Sequence, residues 1–185
     1  MARKNTINFL QIENGLLKAI ATCVEEADAP YATHRPQLEE ASETLTGVMA
    51  STDRSYASWR ETIRLRLIGS KHLLARFEQI REELGEYGVE PQPSGRVDYW
   101  DSEFQLEAVQ TLLGQLAVLK ASDVPEASGW LAALKDDLKS VERLLREEEQ
   151  AKDDYLRVAP ARRQVISRAM HVVEEFENVR RDYLS

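Results

Sequence analysis

Apolar residues recur along this chain at steps of three and four, the spacing that gathers side chains on one face of an α-helix. Between Thr6 and Glu26 the residues Ile7, Leu10, Leu17, Ile20 and Val24 form such a stripe. Phe9, Leu16 and Cys23 widen it, and it is expected to face a core. Asn5 or Thr6 offers a start cap, and Asp28-Ala29-Pro30 ends the helix. Thr33-His34-Arg35-Pro36 opens the second segment, with proline in the first turn, where its missing N–H costs nothing. From Leu38 the pattern runs through Ala41, Leu45, Val48, Thr52, Tyr56, Trp59, Ile63, Leu67, Ser70, Leu74, Phe77 and Ile80 to Leu84. It predicts one helix of about 50 residues, or 75 Å at 1.5 Å per residue. The alternative, two helices meeting at Ser51-Thr52-Asp53, is disfavoured because neither Gly nor Pro stands there.

Gly85 to Gly95, with Gly88, Pro91, Pro93 and Ser94 between them, reads as a loop. Tyr99 and Trp100 are expected to plug the end of a bundle, and Asp101 or Ser102 to cap a third helix, Ser102 forming a capping box with Gln105. That helix uses Phe104, Leu106, Val109, Leu112, Leu113, Leu116 and Leu119 and stops near Ser122. A fourth begins after Asp123-Val124-Pro125-Glu126 on Trp130, Leu131, Leu134, Leu138, Val141, Leu145, Glu148, Tyr155 and Val158. Ile166, Ala169, Val173, Phe176, Val179 and Tyr183 continue it. Pro160 lies inside this pattern, where it removes one hydrogen bond and crowds the preceding turn; a kink or a break follows, and the expectation is a kinked long helix.

The two halves echo each other. At an offset of 99 positions His72, Phe77, Glu78 and Arg81 meet His171, Phe176, Glu177 and Arg180, and Gly15, Leu17, Leu45, Tyr56 and Arg64 meet Gly114, Leu116, Leu144, Tyr155 and Arg163. A tandem duplication explains the constant offset. The expected fold is therefore all-α, an elongated helical bundle of two tandem short-helix/long-helix hairpins with coiled-coil-like packing and about four to six helices. Residues 1–95 and 96–185 would be the two repeats, sharing one core. Short helices cannot cover long ones, so part of each long helix must pair with its counterpart or with a second subunit, because exposed apolar surface costs about 25 cal/mol per Å².

Composition adds to this picture. Gly numbers 8 and Pro 6 while charged residues make up 30%, which suits solvated helices and not a turn-rich β fold. The single cysteine, Cys23, excludes an intramolecular disulfide and a cysteine zinc cage, and fits a reducing cytoplasm. Gln11, Glu13, Asn14 and Lys18 interrupt the first apolar run as a secretory leader would not. No run reaches the roughly 18 apolar residues that a membrane span needs.

Charge is segregated. The net charge is -8, yet residues 54–76 hold six cations against the single acid Glu61, and residues 157–168 hold four arginines and no acid. Acids crowd at Glu39, Glu40 and Glu43 and at Glu147, Glu148, Glu149, Asp153 and Asp154. Intrahelical pairing on a solvated face, charge-registered self-assembly, and an anionic partner all fit this distribution.

Motifs for phosphate loops, nucleophile elbows and zinc sites do not occur, nor does the Glu-x-x-His of di-iron bundles. Cys23 has no cationic or histidine neighbour in sequence to activate it. The expectation is a non-enzymatic, cytoplasmic interaction or scaffold protein without a cofactor, acting on itself as a homo-oligomer or on a partner protein, nucleic acid not being the expected partner. Arg60, Arg64, Arg66, Arg162, Arg163 and Arg168 are the candidate partner-binding residues. One alternative is a carrier or enzyme using His72 and His171 for a metal or haem; another is a binder of an anionic partner through the arginine-rich segments.

Overall fold

The computed structural model describes residues 9–94, 102–120 and 122–185, the side chains of 102–105 excepted. Among the described residues four α-helices follow in order, α1 (Phe9–Glu25), α2 (Arg35–Glu86), α3 (Ser102–Val118) and α4 (Ala127–Leu184), with a 3-10 turn at Pro30–His34 before α2. The protein is all-α, and α2 and α4, of 52 and 58 residues, are each more than three times the length of α1 and α3. Among the described residues no helix is long and apolar enough to cross a membrane. Ile7, the Asn5/Thr6 cap, the Tyr99/Trp100 plug, the Asp101 cap and the Ser102/Gln105 capping box lie outside the described residues or side chains.

α2 is continuous through Ser51–Asp53. Thr52 is buried there and its hydroxyl donates to the Val48 carbonyl at 2.8 Å, a bond made within the helix that leaves the backbone ladder intact. α4 runs through Pro160 unbroken. Pro160 and Leu156 are both exposed, so the hydrogen bond that the proline removes belongs to a surface stretch of the helix. α2 ends in a Schellman turn: the Val89 N–H reaches the Leu84 carbonyl at 3.0 Å and the Gly88 N–H the Gly85 carbonyl at 3.0 Å. Gly88 sits at φ 71°, a conformation that a Cβ would strain. Beyond it, Gln115 of α3 holds the loop, donating to the Glu90 carbonyl and accepting from the Gln92 N–H.

The chain divides into two compact units, and neither coincides with a sequence half. The first comprises residues 1–58 and 152–185, the second residues 59–151. In the first, Ile12, Leu16, Ala19 and Cys23 of α1 pack with Leu38, Ala41, Leu45 and Met49 of α2 and with Ala169 and Phe176 of α4. Tyr31, from the 3-10 turn, seals this cluster with its ring edge-on to Phe176 and Tyr183. In the second, Leu73, Leu74, Phe77, Ile80 and Leu84 of α2 pack with Ala108, Val109, Leu112 and Leu116 of α3 and with Leu134, Leu138 and Val141 of α4. Each unit is thus a three-helix bundle with its own core, built on one short helix and one segment of each long helix.

Burial repeats between the units at an offset of 96, not 99. Ile12/Ala108, Leu16/Leu112, Tyr31/Ala127, Leu38/Leu134, Leu45/Val141, Leu73/Ala169 and Ile80/Phe176 are buried on both sides. In the sequence register, Leu17 and Leu116 would be equivalent, yet one is 52% exposed and the other 2%. The expectation for α1 is corrected accordingly: Leu10, Leu17 and Val24 lie on the outer face, and Ile12, Leu16, Ala19 and Cys23 make the contact. α1 carries apolar side chains on two faces, and periodicity alone does not say which one meets the core. Tyr56 and Leu67 of α2, and Val179 and Tyr183 of α4, are likewise exposed members of the predicted stripes.

Between Thr52 and Leu73 no residue of α2 is fully buried, nor is any of α4 between Val141 and Ala169. Here the long helices have each other. In the first unit the Tyr56 and Tyr155 rings meet at 5.4 Å. In the second, Gly69 lets Leu144 and Val141 approach so closely that a Cβ would stand 2.9 Å from the Leu144 Cδ1.

Candidate functional site

The six candidate arginines fall into the two units. Arg60, Arg64 and Arg66 belong to the second unit on α2, and Arg162, Arg163 and Arg168 to the first on α4. Their settings differ. Arg66 is turned inward, and its Nε donates to Glu148 of α4 at 2.7 Å, with both side chains 22% exposed. It is a structural ion pair that neutralises a charge between helices. Arg64 is exposed and grips Glu61 one turn back through Nε and Nη2, at 2.8 and 2.6 Å. Those hydrogen bonds hold the Glu61 carboxyl below its ordinary range and push the guanidinium up. Arg168 reaches Glu40 of α2 at 3.1 Å on an exposed surface.

Arg162 is the counterpart of Arg66 in the 96-residue register, as Thr52 is of Glu148. One unit therefore neutralises its inward arginine with a carboxylate, and the other sets a threonine at the matching place. Among the described residues Arg162 and Arg163 make no ion pair or hydrogen bond.

The outward face of α2 in the second unit mixes charge with apolar surface. At 100° per residue Arg60, Arg64, Leu67, Ile68 and Lys71 share one side, turned away from Leu73, Phe77 and Ile80. Leu67 and Ile68 are 47% and 52% exposed. Sequence reading named the arginines but assigned Leu67 to the core and passed over Ile68. The signal available was that an apolar residue at 68 fits no three- or four-step continuation of the predicted stripe.

The two histidines sit in different units, each with its own carboxylate. His72 Nδ1 lies 3.4 Å from Asp137, which also accepts from Arg76, and His171 Nε2 lies 3.2 Å from Glu175 one turn on. Both imidazoles are largely exposed. Among the described residues no three His, Cys, Asp or Glu side chains are grouped as a metal site would require. Cys23 is buried against the 3-10 turn, its Sγ donating to the Tyr31 carbonyl at 3.7 Å. Burial pushes the thiol up, which holds it in its unreactive neutral form. Concave surface among the described residues includes an open depression beside Glu25, Glu26, Asp28, Tyr31 and Tyr183, and another beside Glu177, Arg180 and Arg181.

What this arrangement can do chemically is present surfaces: a basic and apolar face on α2, and exposed leucine and valine side chains on α1. Compared with known protein families, curated protein sequences and solved structures, the chain matches none.

Proposed function

We propose that this protein is a non-enzymatic helical interaction protein that works by presenting helix surfaces to copies of itself or to a partner protein. The observation that carries the reading is the outward face of α2 in the second unit. There Leu67 and Ile68 stand half-exposed among Arg60, Arg64 and Lys71. Solvation of a charged face does not call for apolar side chains between the cations. Burial of those two side chains against another chain recovers free energy at about 25 cal/mol per Å². Lys71 beside them then favours an acidic counterpart. This chain carries acidic surface of its own, with Glu147, Glu149, Asp153 and Asp154 exposed on α4. A reducing cytoplasm suits a protein whose one cysteine is a buried thiol.

The test is solution mass by light scattering at low and high salt. Association that weakens with salt, and weakens again in Ile68→Glu at constant helix content, is the expected result. A mass that responds to neither change would retire the α2 face as an interaction surface.

A further inference from the structure

Helix α1 is two-faced, and its second face has the pattern of a coiled-coil seam. Leu10, Leu17 and Val24 recur at seven-residue steps and are 58%, 52% and 51% exposed. Asn14 and Ala21, also exposed, fall four residues after the first two. In heptad terms Leu10, Leu17 and Val24 occupy d positions and Asn14 and Ala21 occupy a positions. The residues that bind α1 to its own core, Ile12, Leu16, Ala19 and Cys23, lie on the opposite side of the helix. The seam is therefore additional to the packing that holds the fold.

We infer that this face pairs with the same face of a second copy of the chain, as a parallel, in-register two-stranded coiled coil. This inference rests on the interaction reading above and names a partner and a surface for it. Charge decides the occupant and the orientation. Glu13 precedes the a position at Asn14 and is a g residue; Lys18 follows the d position at Leu17 and is an e residue. In a parallel pair, each g residue faces the e residue five positions on in the other helix, so Glu13 meets Lys18 of the second copy, twice by symmetry. An antiparallel pair centred on Leu17 would set Lys18 against Lys18. Among the described residues neither Glu13 nor Lys18 is committed to an ion pair within its own chain. Asn14 adds an independent indication: an asparagine at an a position meets its equivalent across a parallel in-register dimer, where the two amides hydrogen-bond and select that register. About two heptads of seam make a small interface, so the pairing belongs to the weak, reversible class and calls for a wide concentration series.

The experiment is sedimentation equilibrium of the full chain from about 1 to 100 µM, with circular dichroism to confirm helix content. Wild type should shift from the 21.1 kDa chain to twice that mass. Leu17→Glu, at an exposed position, should abolish the part of the shift that survives in Ile68→Glu, while leaving helicity unchanged. E13K and K18E should each weaken the dimer by about tenfold, and the E13K/K18E double variant should restore it, since the swapped charges again attract. A dimer indifferent to Leu17→Glu but lost in Ile68→Glu would overturn the α1 seam and leave the α2 reading standing. A double variant as weak as the single ones would overturn the parallel arrangement. A monomer throughout would overturn the seam, together with self-association through either face.

Discussion

Leu17 and Leu116 are equivalent in the sequence repeat and opposite in the structure, which makes them a sharp test of how the chain is packed. Leu116 is 2% exposed in the cluster formed by Leu73, Phe77, Val109, Leu112 and Leu134. Truncating it to alanine removes three buried carbons and leaves a cavity. Such changes cost about 2–5 kcal/mol, and a site surrounded by large side chains on three helices belongs in the middle of that range, about 3 kcal/mol. For a chain of this size that corresponds to a melting temperature lower by about 6–12 °C. Leu17 keeps half its surface in water, so Leu17→Ala forfeits little transfer free energy and opens no cavity. It should cost under about 1 kcal/mol, partly offset by the better helix propensity of alanine. Urea titrations at submicromolar concentration, followed by the fluorescence of the chain's tryptophans, keep association out of the comparison. Equal losses for the two variants, or a larger loss for Leu17→Ala, would refute the burial register and the core assignment of α1.

Three more outcomes follow from named contacts. Glu148→Gln should destabilise the chain by about 1–2 kcal/mol in urea titration by stranding the half-buried Arg66, whereas Arg66→Met/Glu148→Leu should come close to wild type. Gly47→Ala and Gly114→Ala meet open space on their helices and should each stabilise by about 0.5–1 kcal/mol, while Gly69→Ala should gain less because its Cβ meets Leu144; thermal melts rank the three. Cys23 should resist maleimide in the native chain and react at once in urea. Because its folded thiol ionises later than the unfolded one, its contribution to stability is complete below the ordinary thiol range and declines as pH rises through it, a slope that Cys23→Ala should remove from a pH series of urea midpoints.

Fold class, helix number and the end of α2 near Gly85–Gly88 were legible because each has a local cause, three-and-four periodicity and helix-breaking residues, although α2 runs through Gly85 to Glu86. The continuity of α2 past Ser51–Asp53 was legible for the same reason. That α4 continues past Pro160 as one long helix was legible too, because the apolar stripe resumes at Ile166 on the far side of the proline. The division into units was not legible. Each core draws α2 and α4 segments from different halves of the chain, and that choice of neighbours is tertiary. The three-residue difference between the two repeat registers has a physical source. Three residues turn a helix by 300°, leaving side chains only 60° from their starting direction, so both registers align apolar stripes acceptably. Identities such as His72/His171 favoured one register, and burial obeys the other. Among the candidate arginines, Arg66 was found by charge clustering, yet its role is to close an ion pair with Glu148, 82 positions away. The outer seam of α1 was visible as leucines and valine but read as core, because two apolar faces on one helix give a single broad stripe.

The claim that this chain works through helix faces offered to other chains is tested most directly by cross-linking at the centre of one such face. Asn14→Cys places a thiol at the seam position where two parallel copies meet, and the native Cys23 is buried and silent. Under mild oxidation at micromolar concentration Asn14→Cys should form a covalent dimer rapidly, while Gly47→Cys, exposed on α2, should stay monomeric. Covalent dimer at equal rates from both positions, or none from Asn14→Cys while reduced wild type remains monomeric in sedimentation, would contradict the account.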